Sequence, residues 1–151
     1  MKLCRFVAAD GSPALGIVDG EEVVDLSGAS LPADPAAALA EPGRDGLERI
    51  AAGAPRSPLA DARLLAPAVP RKYLAIALNY ADHVAELGME APDVPVFFNK
   101  QATCVVGPGA DVHMPKVSTL LDYEAELALV IGRRCRHVPV ERAHEAIAGY
   151  T

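Results

Sequence analysis

The hydrophobic pattern of the first 26 residues is that of short strands separated by turns. Residues 14–18 and 21–26 flank Asp19-Gly20, a dipeptide that tolerates positive φ and favours a tight hairpin. Asp10-Gly11-Ser12-Pro13 is a second turn signal and separates this hairpin from an opening strand. From Ser27 to Pro70 the chain turns rich in Ala, Pro, Gly and Asp. Residues 34–40 and 45–52 read there as short helices, each opened by an Asp placed as a cap. Pro67 and Pro70 push the residues before them toward extended backbone, which marks a connection and sets a domain boundary near residue 70.

Beyond that boundary the texture changes. Residues 72–78 form a mostly apolar run of strand length. Asn79 then stands as a helix cap, with Asp82 in the first turn and Gly88 near the end. Residues 94–99 and 102–106 read as strands, punctuated by Gly107-Pro108-Gly109. Residues 121–131 give the strongest strand pattern, and residues 140–148 read as a helix. Strand signals outnumber helix signals, so the expected class is α+β and β-dominated.

The composition narrows the function classes. Hydrophobic residues make up 51% and charged residues 23% of the 151, the balance of a globular protein. With no Trp and 5% aromatics, the core has to be aliphatic. A net charge of −6, with Arg133, Arg134 and Arg136 as the one basic cluster, offers no surface for a phosphate backbone, which argues against nucleic-acid binding. Three widely spaced cysteines without a C-x-x-C pair point to reduced thiols. No apolar run approaches the ~18 residues of a membrane span, and the N-terminus is interrupted by Arg5, so a cytoplasmic protein is expected.

Two constellations carry chemistry. In Asp122-Tyr123-Glu124-Ala125-Glu126 a strand would place Glu124 and Glu126 on one face, ~7 Å apart at Cα given a rise of about 3.4 Å per residue. Two carboxylates so close repel unless solvent or a cation lies between them, and a hard divalent ion takes such oxygen ligands. A half-exposed strand with two solvated glutamates gives the same pattern. His83 and Glu86, at i and i+3 on the expected short helix, share one side. A carboxylate beside an imidazole fixes its tautomer and raises its basicity, which suits a general base, although a surface His–Glu pair has the same spacing. Lys100 ends an apolar strand and could meet an anion or simply extend to solvent. His113, His137 and His144 lack metal-ligand spacing.

Taken together, "ALNYADHVAELGMEAPDVPVFFNKQATCVVGPG" and "LDYEAELALVIGRRCRHVPVERAHEAIAGYT" resemble the fumarylacetoacetate hydrolase family in order, separation and flanking residues. The opening segment with "DGEEVVDLSG" is similar to the small N-terminal β domain many members carry. The resemblance implies a small N-terminal β domain and connector over residues 1–70, followed over 71–151 by part of a mixed β-sandwich roll. It implies Glu124 and Glu126 as ligands of Mg²⁺ or Mn²⁺, His83 and Glu86 as a catalytic dyad on a helix that closes over the site, and Lys100 near the substrate. The family's third ligand, an Asp, and a further Lys lie beyond the "AGYT" with which the sequence stops, so the catalytic domain is expected to be incomplete here.

The implied activity is hydrolysis of a carbon–carbon bond in a 2,4-diketo acid of the acylpyruvate or fumarylpyruvate type. A 2-hydroxyhepta-2,4-diene-1,7-dioate isomerase of aromatic catabolism and an oxaloacetate decarboxylase are alternatives on the same site. So, in another class, is a non-catalytic fragment lacking the third ligand. The implied partners are a small 2-oxo or diketo acid and, in the complete protein, a second copy in a homodimer.

Overall fold

A computed structural model describes all 151 residues, in two compact units: Met1–Ala68 with Gly107–Thr151, and Val69–Val106. The first begins with β1 (Lys2–Val7), β2 (Pro13–Asp19) and β3 (Glu22–Asp25), continues through α1 (Pro35–Ala40) and α2 (Gly43–Ala51), and returns to the sheet as β4 (Arg56–Pro58) and β5 (Leu64–Leu65). The strands pair antiparallel in the order β4-β3-β2-β1-β5. β2 is central. Ala14, Leu15, Gly16 and Ile17 are all buried, because each face of the sheet is covered. On one face Leu15, Ile17, Val24 and Leu26 pack with Ala38 of α1 and Leu47 of α2; on the other Cys4, Phe6, Ala14 and Val23 pack with Leu59, Ala62 and Leu64.

The local signals explain these elements. Asp19 faces Glu22, so the hairpin turn is Gly20-Glu21, one residue later than the Asp19-Gly20 pattern suggests, and Gly20 supplies φ +61°. Asp34 caps α1 as expected, its carboxylate accepting the Ala36 N–H at 2.9 Å, with Pro35 at the first helical position. Asp45 does not cap α2. The helix already starts at Gly43, and Asp45 falls in its first turn, where a carboxylate favours the helix dipole instead. Arg5 ties the connector down, donating from Nε to Ala33 O at 3.1 Å and from Nη1 to Ala66 O at 2.8 Å.

The second unit holds β6 (Tyr73–Ala77), α3 (Ala81–Glu86) and β7 (Val96–Lys100), with β6 and β7 paired antiparallel from Tyr73↔Lys100 to Ala77↔Val96. Its buried side chains are Ala75 and Val84, while Leu74, Phe97 and Phe98 remain 54%, 60% and 45% exposed. The run 102–106 is not a strand: Cys104 N bonds to Gln101 O and Val105 N to Ala102 O, which winds Ala102–Cys104 into a 3₁₀ turn.

In the rest of the first unit, Gly107 lies so close to β5 that a Cβ would stand 2.8 Å from Leu64 O, an approach only glycine permits. The final elements are β8 (Leu129–Ile131) and β9 (Ile147–Tyr150), an antiparallel pair. The expected helix over 140–148 is a 3₁₀ segment, Val140–Ala146, whose last residues give way to β9. The strand expected over 121–131 is formed only over Leu129–Ile131. Residues 69–106 and 107–151 fall in different compact units. No helix is long and apolar enough to cross a membrane.

Burial sets the cysteine chemistry. Cys4 is enclosed in the sheet's second core face, and burial pushes its thiol from the usual 9.0 to about 11, while Cys104 and Cys135 are exposed. A thiol held protonated is a poor nucleophile. Iodoacetamide in mildly alkaline buffer is expected to label Cys104 and Cys135 in the folded chain and to reach Cys4 only in guanidinium, as read by intact mass and peptide mapping.

Candidate active site

His83 and Glu86 sit on α3, a helix of six residues. A helix this short is unstable by itself, so its ends have to hold it. At the C-terminus Gly88 takes φ +62°, its N–H bonds to Ala85 O at 3.1 Å, and Met89 N–H bonds to Val84 O at 3.1 Å. These two bonds form a Schellman motif, the arrangement anticipated from Gly88. At the N-terminus the cap position belongs to Tyr80 and not to Asn79, and no side chain caps the helix. Leu78, just before it, has φ +54°, a left-handed conformation that is costly for a bulky residue and redirects the chain from β6 into α3.

The i, i+3 spacing brings His83 Nδ1 to 3.7 Å from Glu86 Oε2, with the side chains 45% and 79% exposed. That separation is too long for a hydrogen bond. Lys100 ends β7 in the same unit, half-buried, with its Nζ 5.4 Å from the centroid of the Phe98 ring. Phe98 and Lys100, two apart on β7, share a face of the strand, so the ring supports the ammonium by a cation–π contact. A cavity of about 180 Å³ lies between residues 76–79 and 91–95, but none of these three side chains lines it.

Glu124 and Glu126 belong to the other unit. The strand that was to display them does not extend to them: both lie in an irregular, fully exposed stretch ahead of β8. Neither makes an ion pair or a side-chain hydrogen bond. Two uncommitted carboxylates two residues apart are a donor set suited to a hard divalent cation, and no third His, Cys, Asp or Glu joins them in this chain.

A different carboxylate organises the segment between β8 and β9. Glu145 accepts from Arg142 at 2.8 Å and from Arg133 at 2.8 Å. The two guanidinium groups hold its carboxyl down, from the usual 4.5 to about 2. This cluster was not foreseen; the i, i+3 spacing of Arg142 and Glu145 was its visible sign. Because the folded-state value is depressed, whatever the cluster contributes is present above pH 4.5 and is lost as pH falls toward 2.

The model of the fumarylacetoacetate (FAA) hydrolase C-terminal family matches residues 72–151. The chain belongs to the fumarylacetoacetate hydrolase family. Residues 1–67 match the Rv2993c-like N-terminal family. The solved structure of fumarylacetoacetate hydrolase from psychrophilic Exiguobacterium antarcticum superposes with a TM-score of 0.79 at 30% identity, over 99% of this chain and 53% of that one. Maleylpyruvate hydrolase from Sphingobium sp. SYK-6, solved with manganese(II) and pyruvate, gives 0.74 at 30% identity, over 99% of this chain and 56% of that one. The mitochondrial oxaloacetate tautomerase fahd2 of Xenopus laevis is 35% identical over the whole chain, which spans 50% of that protein. Among the curated relatives this fumarylacetoacetate hydrolase family chain spans from 28% of the protein's length, for Bcen2424_5521 of Burkholderia cenocepacia, to that 50%. The β-dominated α+β class expected from the sequence is the fold these neighbours share.

The Schellman end of α3 is the support of the dyad open to direct test. Gly88→Ala puts a Cβ on a residue at φ +62° and should cost about 1 kcal/mol locally. The Gly88 and Met89 amides are then expected to exchange with solvent about fivefold faster by NMR, with the β2 amides unchanged.

Proposed function

We propose that this chain supplies the acid–base dyad and two metal-ligand carboxylates of a divalent-metal enzyme that hydrolyses a carbon–carbon bond in a 2,4-diketo acid. The observation that carries this reading is the His83–Glu86 pair on one side of a helix, in a chain of this family that also bears two uncommitted glutamates. Mg²⁺ or Mn²⁺ held by Glu124 and Glu126 would supply Lewis acidity toward the 2-oxo acid end of the substrate. Oxygen donors on an exposed segment fit either ion, and a manganese(II) ion accompanies pyruvate in the related maleylpyruvate hydrolase.

The chain's own side chains divide the remaining work. Glu86 faces Nδ1 of His83, which favours the tautomer protonated there and leaves Nε2 as the proton acceptor. Nε2 then takes a proton from the water that attacks the distal carbonyl, and Glu86 stabilises the imidazolium formed. Collapse of the adduct breaks the carbon–carbon bond to give a carboxylic acid and an enolate, to whose carbon the imidazolium returns the proton. Lys100, backed by Phe98, presents a fixed cation to a substrate carboxylate or to negative charge developing on oxygen. The same groups without water attack would run a keto–enol isomerisation, a reading favoured by the tautomerase relative; dienedioate isomerase and oxaloacetate decarboxylase reactions are alternatives on the same site. The complete protein would act as a cytoplasmic homodimer, and residues 1–151 alone would bind the cation weakly.

In the protein carrying this segment with its catalytic domain complete, a panel of acylpyruvates, oxaloacetate and the dienedioate separates the reactions. His83→Ala should lower hydrolysis by about 10²–10⁴-fold while sparing Mn²⁺ binding. Glu86→Gln should give a partial loss, and Glu126→Ala should weaken Mn²⁺ binding by about 100-fold. Loss of Mn²⁺ affinity in His83→Ala would reverse the assigned roles. Oxaloacetate enolisation that survives His83→Ala, with no turnover of acylpyruvates, would favour the tautomerase reading.

A further inference from the structure

The second unit has a cavity of its own, walled by the end of β6 with Leu78 and Asn79 and by residues 91–95 ahead of β7. Its volume is about 180 Å³. A cavity of roughly 150 Å³ already holds a benzene ring. Ile76, Leu78, Val94 and Pro95 make its lining mostly apolar, and two polar residues interrupt it, Asn79 and Asp93. Asn79 does not cap α3, and Asp93 makes no ion pair. No lysine, arginine or histidine is among the lining residues, so the Asp93 carboxylate is the one charge at the cavity. Leu78 holds its costly left-handed conformation in this wall. The walls are continuous with the elements of the candidate site. Asn79 leads through Tyr80 into α3, which carries His83, and Pro95 leads into β7, which ends at Lys100.

We propose that this cavity seats the uncharged acyl end of the substrate, a group of up to about six carbons, and that Asp93 sets the specificity by excluding a carboxylate there. Apolar walls favour the burial of a hydrocarbon group. A second carboxylate brought against Asp93 meets a like charge, with no cation in the lining to offset it. The substrate class follows: acylpyruvates whose distal end is a short alkyl or an aryl group, in preference to fumarylpyruvate, whose distal end is ionised. Because Asp93 is exposed, the exclusion is moderate, about tenfold, and sensitive to salt. Occupancy by a substrate rests on the hydrolase reading above; the preference for an uncharged group does not.

Two probes of one shape separate charge from size: 2-pentanone, and butyrate, in which an O⁻ replaces a methyl of the ketone. In NMR titrations of the full chain at low salt, 2-pentanone is expected to shift the amides of residues 77–79 and 93–94 saturably. Butyrate is expected to bind there about tenfold more weakly. Asp93→Asn should bring the two probes to within about twofold of each other, and Asp93→Lys should reverse their order. The β2 and α3 amides report that both units stay folded. No saturable shift with 2-pentanone, or equal affinity for the two probes in the unaltered chain, overturns the proposal. So does a preference that both substitutions leave unchanged, or that about 0.5 M salt does not reduce. In the protein with its catalytic domain complete, the kcat/KM of acetylpyruvate relative to fumarylpyruvate should fall about tenfold or more in Asp93→Lys. An unchanged ratio overturns the assignment of the occupant. Binding in the cavity with turnover of neither diketo acid removes the hydrolase reading and upholds the selection by Asp93.

Discussion

An extended stretch of backbone is held in place only when its amides and carbonyls are taken up from the side, and this chain meets that condition unevenly. β2 is flanked by β1 over Pro13–Val18 and by β3 over Gly16–Asp19, and both its faces are covered, so the first 68 residues close around an aliphatic core. β6 and β7 have only each other, and two strands alone are marginal. Their apolar side chains accordingly remain at the surface: Leu74 on β6, Phe97 and Phe98 on β7. β8 pairs with β9, and the exchanged backbone bonds continue to Ala128 and Thr151.

This unevenness divides the candidate site by the kind of interaction that builds each part. His83 and Glu86 owe their placement to local bonds, namely the helix ladder and the Schellman turn at Gly88, all made within residues 80–89. Glu124 and Glu126 have no such local bonds and lie in an irregular, exposed stretch ahead of β8. His83 and Glu86 are accordingly held on a helix, while Glu124 and Glu126 are not on a strand.

The same division explains what could be read from the sequence. The hairpin of β2 and β3, the Asp34 cap and the Gly88 stop were legible because each rests on the conformational preference of a few adjacent residues. The alternation over 121–131 records which faces a strand would present; it carries no information on whether a neighbour is there to pair with it. Apolar character in 102–106 was equally mute, and local 3₁₀ bonds took the backbone instead. Asn79 failed as a cap because Leu78 turns into the left-handed region and advances the helix start by a residue. Arg133 and Arg142 on Glu145 escaped notice since one of the two contacts spans twelve positions.

Strand pairing and cation binding also bear on each other energetically. Two carboxylates at ~7 Å repel by about 0.6 kcal/mol in water, and by about 2.4 kcal/mol at the effective dielectric of 20 that applies once a face is partly covered. In the irregular stretch the glutamates avoid this by staying solvated. A strand that aligned them would raise the repulsion, and neither glutamate has an arginine or lysine to offset it. A divalent ion between them reverses the sign of the interaction. Alignment lowers the conformational cost of holding the ion, and the ion removes the electrostatic cost of alignment. Linkage then makes each favour the other by the same free energy, so whatever orders this segment should tighten Mn²⁺ binding by the same factor as Mn²⁺ tightens that order.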